Sequence, residues 1–200
     1  MHRILLAAIL ITAPLAAVAG SPPAILSCEG PFARDSGHVR LIQVFGAANV
    51  AYTKIDGAEG ETIMASVVYG KDPKRRLEIV WKDAKARKNP FVMAKGKDSV
   101  WKTGDGIGGG ASVAEIEKLN GKPFKLSGFG WDLGGNVTDL AGGALARRKG
   151  GCILGLTFDP VDVANPALDK VSGDKEFLSS DRNIRAAKPI VSQITIGWPQ

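Results

Sequence analysis

The stretch HVRLIQVFGAANVAYTKIDG, residues 38–57, changes its period halfway. Its first eight residues place His38, Leu41, Ile42 and Phe45 on one face, the spacing of a short amphipathic helix. Ser36 is the expected cap and Gly46 the expected stop. Over residues 49–55 the pattern alternates, as a half-buried strand does, and runs into the turn Asp56-Gly57. A helix of two turns is unstable alone and needs a sheet to cover its apolar stripe. This stretch therefore argues for an α+β fold.

The same order recurs. Ser112-x-x-Glu115 is a capping box that opens a second helix over 113–119, with Ile116 and Leu119 on one face and Gly121 at its end. Leu41-x-x-Val44-Phe45-Gly46 lines up with Ile116-x-x-Leu119-Asn120-Gly121 at an offset of 75 residues. Strand segments follow each helix: 62–69, 77–81, 91–94 and 99–101 in the first half, then 124–129, 137–146, 152–158 and 190–198 in the second. Residues 159–188 read as a polar, loop-rich stretch in which Ser180-Asp181 caps one helical turn. The expectation is a β-rich α+β protein of antiparallel sheets and short helices. Its mature part, 21–200, forms one globular domain, with tandem helix-plus-four-strand units over 36–103 and 104–200. The competing reading is that helix–glycine–strand order is common and the match carries no duplication.

Composition agrees with a folded chain. In 200 residues, 44% are hydrophobic, 23% are charged and 25 are glycine, which excludes a disordered or collagen-like chain. Residues 1–20, MHRILLAAILITAPLAAVAG, read as a secretory signal peptide: Arg3 precedes an apolar run, and Ala17-Val18-Ala19 is a small-x-small cleavage signal. Cleavage falls after Ala19 or after Gly20. No later stretch reads as a transmembrane span, so the expected location is the periplasm or the exterior.

Two cysteines remain after processing, Cys28 and Cys152, and in an oxidising compartment they most simply form one disulfide. Acylation of Cys28 is the alternative. Pro22-Pro23 and Leu26 argue against it, and it leaves Cys152 as an odd thiol. The mature charge is mildly basic, 25 Lys and Arg against 20 Asp and Glu, and the basic residues are dispersed as solvated faces are. Nucleic-acid binding asks for a concentrated basic stripe with stacking aromatics, so no nucleic-acid partner is expected.

Little catalytic chemistry is available. Residues 104–110, GDGIGGG, lack the Lys-Ser/Thr of a phosphate loop and the strand–helix–strand context of a dinucleotide site, and read as a flexible connector. His38 is the single mature histidine and reads as a packing or helix-end residue. With the cysteines bonded, no thiol nucleophile remains, and zinc-type ligand clusters are missing. Neither a metal nor another cofactor is expected. Asp132 with Glu115 is the pair to inspect for a carboxylate hydrolase, against turn-forming Asp and helix-face Glu as the plainer readings.

The most unusual segment is Gly128-Phe129-Gly130-Trp131-Asp132-Leu133-Gly134-Gly135-Asn136. Glycines around Phe and Trp let the backbone turn tightly and either present the rings or bury them, and burial is the expectation for the rings. Phe129, Trp131, Asp132 and Asn136, with Trp101 beside them, are the candidate contact residues. Asn136-Val137-Thr138 also matches a glycosylation acceptor.

The pattern Gly110-x-Ser112-x-x-Glu115-Ile116-x-x-Leu119-x-Gly121-x-Pro123 resembles one in small bacterial envelope domains, the SmpA/OmlA-type outer-membrane-assembly lipoproteins and the β-lactamase-inhibitor-protein fold. The string Asn120-Gly-Lys-Pro-Phe-Lys-Leu-Ser-Gly-Phe-Gly-Trp-Asp132, with Phe45-Gly46-Ala-Ala-Asn49-Val50 and Trp81, is similar to a family of uncharacterised bacterial exported proteins. The first resemblance implies tandem short-helix-and-sheet units that act by binding other proteins; the second implies a fold and no function. The leading function is then a non-enzymatic binding protein of the envelope, whose partner is another envelope protein or an envelope component. A periplasmic hydrolase using Asp132 and Glu115, or a purely structural envelope protein, are the alternatives.

Overall fold

The computed structural model describes residues 24–57 and 60–199. Residues 1–20, read as a signal peptide, lie outside them. Among the described residues, three short α-helices and eleven strands make an α+β, β-rich fold of mainly antiparallel sheets. The strands are β1 (Ile25–Leu26), β2 (Val50–Asp56), β3 (Thr62–Val68), β4 (Leu77–Asp83), β5 (Lys88–Lys95), β6 (Lys102–Thr103), β7 (Lys125–Ser127), β8 (Val137–Asp139), β9 (Ile153–Pro160), β10 (Glu176–Leu178) and β11 (Pro189–Gly197). The helices are α1 (His38–Phe45), α2 (Val113–Asn120) and α3 (Arg182–Ala187).

The main sheet has six strands in the order β2-β3-β4-β5-β11-β9, a meander extended by the last strand of the chain. A three-stranded sheet, β10-β7-β8, stands beside it, and β1 pairs in parallel with β6. The strands after α2 thus divide between two sheets. They do not form a four-stranded sheet of their own. β11 pairs with β5 on one side and β9 on the other, burying Ile194 and Ile196 between them and Val191 against β9 before a register shift, which stitches the two halves into one sheet.

One face of that sheet carries the core. Leu77, Ile79 and Trp81 of β4, Val92 and Ala94 of β5, and Leu154, Leu156 and Phe158 of β9 are buried there with Leu41 and Phe45 of α1, Ile116 of α2 and Ile184 of α3. Phe32, Phe45 and Trp101 form an aromatic knot with ring centroids 6.0–6.1 Å apart. Cys28 and Cys152 form a disulfide, Cα–Cα 5.4 Å, which ties the start of the chain to the entry of β9. Among the described residues no helix is long and apolar enough to cross a membrane.

Several local expectations change. The N-cap of α1 is Gly37; the Ser36 hydroxyl instead donates to the Pro31 carbonyl at 2.6 Å. The Ser112–Glu115 capping box and the left-handed Gly121 close α2 as expected. Leu119, however, is 40% exposed, and Asn120 takes the inward position. Its amide donates to the carbonyls of Lys122 and Leu140, both at 3.0 Å. Satisfied in this way, a buried amide can replace an apolar side chain. The stretch 104–110 is no loose connector: Ile107 is buried, and a Cβ on Gly109 would meet the Lys97 carbonyl at 2.8 Å.

Candidate functional site

The glycine–aromatic segment forms a turn packed against β9. Ser127 N donates to Asn136 O at 2.9 Å, Phe158 N donates to Gly135 O at 2.9 Å, and Asn136 bridges Thr157. The glycines act through close approach. A Cβ at Gly128 would lie 2.5 Å from the Gly173 carbonyl, and Gly135 sits at φ +71° against the Phe158 carbonyl. No L side chain fits either place without moving backbone.

The turn buries one of its two aromatic rings and leaves the other part exposed. Phe129 is buried in the core, and its backbone pairs with Val171 and Gly173. Trp131 is 39% exposed, its ring held by Nε1 donating to Gly128 O at 3.0 Å. The expected burial of both rings therefore holds only for Phe129. Trp101 is buried as well, with Nε1 donating to Arg75 O at 2.7 Å. Trp101 is a core residue and lines neither of the hollows beside this turn, whereas Phe129, though buried, lines the same hollow as Trp131.

Asp132 and Asn136 line an open groove of about 610 Å³. It lies where β5 and β9 end and β11 begins. Lys95, Lys97, Thr157, Asp159, Pro160, Val161, Ile190, Ser192 and Gln193 complete its walls. A second hollow of about 420 Å³ adjoins it through Asp159 and Pro160 and holds Trp131, Val163 and Leu168. Asp159 and Pro160 are a wall common to the two hollows, which together are the candidate cleft. Large apolar side chains stand exposed along it or beside it: Leu133 at 58%, Val161 at 65% and Val163 at 87%.

Its polar groups differ in how far they are engaged. Asn136 Oδ1 accepts from Thr157 Oγ1 at 2.6 Å, which fixes the amide plane, and its Nδ2 has no partner among the described residues. Lys95 is spoken for by Glu78, with Nζ to Oε2 at 2.7 Å, and Arg76 holds the same carboxylate from its other side. Burial by itself raises the pKa of Glu78, but the hydrogen bonds from Lys95 and Arg76 outweigh it and hold the carboxyl below its usual range. Lys97 pairs with Asp98 at 3.1 Å. Asp132 and Asp159 have no ion-pair partner among the described residues.

Glu115 does not join Asp132 in this lining. Its carboxylate accepts from the Ser112 amide and hydroxyl, both at 2.7 Å, and these bonds hold it below the ordinary carboxylate range. A general acid needs the opposite shift. His38 packs against β2 and β3, where Nδ1 lies 2.7 Å from Ser66 Oγ. Sequence reasoning missed the far wall of the cleft, Thr157 to Val161 with Gln193. The one available signal was Asp159-Pro160-Val161-Asp162-Val163, in which valines continue past a strand-ending proline into polar loop. In comparisons with protein families, curated proteins and solved structures, nothing matches this chain.

Proposed function

We propose that this chain is an exported binding protein of the bacterial envelope and that it takes another protein into the cleft between the Trp131 turn and the ends of β9 and β11. One observation carries the reading. Asp132 and Asn136 line one hollow and Trp131 the hollow that shares Asp159 and Pro160 with it, with Val161 and Val163 exposed in these linings and Leu133 exposed next to Asp132 in the chain. Isolated exposed apolar residues are ordinary, but a group of them beside an aromatic anchor and unengaged polar groups is what an interface presents. The apolar rim extends beyond the hollow itself, which favours a macromolecular partner over a small ligand. The leader sequence and the disulfide support an oxidising compartment outside the cytoplasm. Asp132 here is a contact residue, and Glu115 is a helix cap.

The test is crosslinked capture from the envelope extract of the source cell, with Trp131→Ala beside the native chain. A discrete partner recovered by the native protein and lost in the folded variant is the expected outcome. Equal recovery by both places the binding surface elsewhere.

A further inference from the structure

We infer that the segment bound in this cleft is cationic and aliphatic: an exposed protein segment carrying Lys or Arg with apolar side chains beside it. The inference rests on the binding function proposed above and adds the chemistry of the partner.

It follows from which charges are already satisfied. The chain as a whole is basic, with a formal net charge of +6. The cleft is not. Each of its two lysines already has a carboxylate beside it, Lys95 lying 2.7 Å from Glu78, which it shares with Arg76, and Lys97 lying 3.1 Å from Asp98. Asp132, Asp159 and Asp169 are left without a cation among the described residues, Asp159 lining both hollows and Asp169 the smaller one. A concave site concentrates the field of its unpaired charges. An approaching cation therefore meets three unpaired carboxylates, whereas an approaching anion meets lysines that already have carboxylate partners.

The apolar part has its own complement. Trp131 and Val163 stand on one side of Asp159, and Val161 stands on the other. A lysine or arginine reaching Asp159 lays its methylene stem along these side chains, and Trp131 offers a ring face to the cation. The neighbouring aliphatic residues of the same segment then cover the exposed valines. A polyanion or an acidic peptide gains none of these contacts.

A display library of random linear peptides, selected on the immobilised mature protein, tests this. Asp132→Asn, Asp159→Asn and Trp131→Ala serve as counter-targets, each checked by its thermal midpoint. The expected consensus is Lys or Arg flanked by Leu, Ile, Val or aromatic residues. Its affinity should fall roughly five- to tenfold in each Asp→Asn variant, and further between about 50 and about 500 mM salt. A consensus without a basic residue that still needs Trp131 overturns the cationic inference and leaves the binding function standing. Peptides that bind native protein and all three variants equally, or no enrichment at all, overturn both.

Discussion

Gly135 sits at φ +71°, and its missing side chain is the space into which the Phe158 carbonyl fits. Replacing it with alanine combines a strained backbone with a backbone clash, so Gly135→Ala should lose about 2–4 kcal/mol of stability. Phe129→Ala should lose about 3–5 kcal/mol, because it empties a buried position. Trp131→Ala, with its ring part exposed, should cost about 1 kcal/mol or less. Denaturant unfolding of the three variants checks the order, and a Trp131→Ala loss as large as that of Phe129→Ala would make Trp131 a core residue. The alternation of glycine and aromatic residues marked this segment in the sequence. Which ring turns inward was not legible there. The outcome depends on Val171 and Gly173, more than 40 positions downstream, whose backbone pairs with Phe129.

Among the elements, α1 is anchored by a polar chain inside an apolar face. Trp81 Nε1 donates to Ser66 Oγ at 2.8 Å, which frees the Ser66 hydroxyl to donate to an unprotonated His38 Nδ1 at 2.7 Å. Tyr52 packs against the imidazole, and the Arg87 guanidinium lies over the Tyr52 ring. Burial first, and the Arg87 charge second, hold His38 below its ordinary pKa. The unfolded chain therefore takes up this proton before the folded one does. Native stability from this site is whole above the ordinary histidine value of about 6.5 and declines as pH falls below it. It levels off once the folded imidazole is protonated too. Thermal midpoints measured on either side of that value should show the decline, and His38→Gln should flatten it; an unchanged slope would exclude His38 as the source. The helix itself was legible from the 38/41/42/45 spacing, because that signal is local. Its cap was not, since Ser36 found a nearer partner in Pro31. Strand lengths were also misjudged where pairing decides them: β5 reaches Lys88–Lys95 because β4 and β11 flank it on both sides.

For the whole molecule, the disulfide and β11 close the fold across the longest sequence distances. Cys28 and Cys152 are 124 residues apart. Loop-closure entropy assigns the bond roughly 5 kcal/mol, less any native strain. Paired serine substitution of both cysteines should lower the denaturation free energy by about that amount, and a loss under about 1 kcal/mol would mean the core alone fixes the N-terminal segment. The two cysteines and the compartment implied by the leader made this bond readable in advance. The division of the second half between two sheets was not readable, because β7, β8 and β10 are three residues each and pair across the chain. The cleft was half legible for the same reason. Trp131, Asp132 and Asn136 stand together in one segment, whereas Asp159, Val161 and Gln193 reach them only through sheet pairing.

The central claim is that this cleft is where the protein meets its partner. Photocrosslinking in the source cell tests it most directly, with a photoreactive amino acid placed at Val163 on the cleft rim or at Val39 on α1. Both positions are highly exposed, and only Val163 borders the cleft. A discrete adduct of one mass from Val163, absent from Val39 and suppressed by Asp159→Asn, is the predicted result. Adducts from Val39 alone, or the same adducts from both positions, would contradict the account.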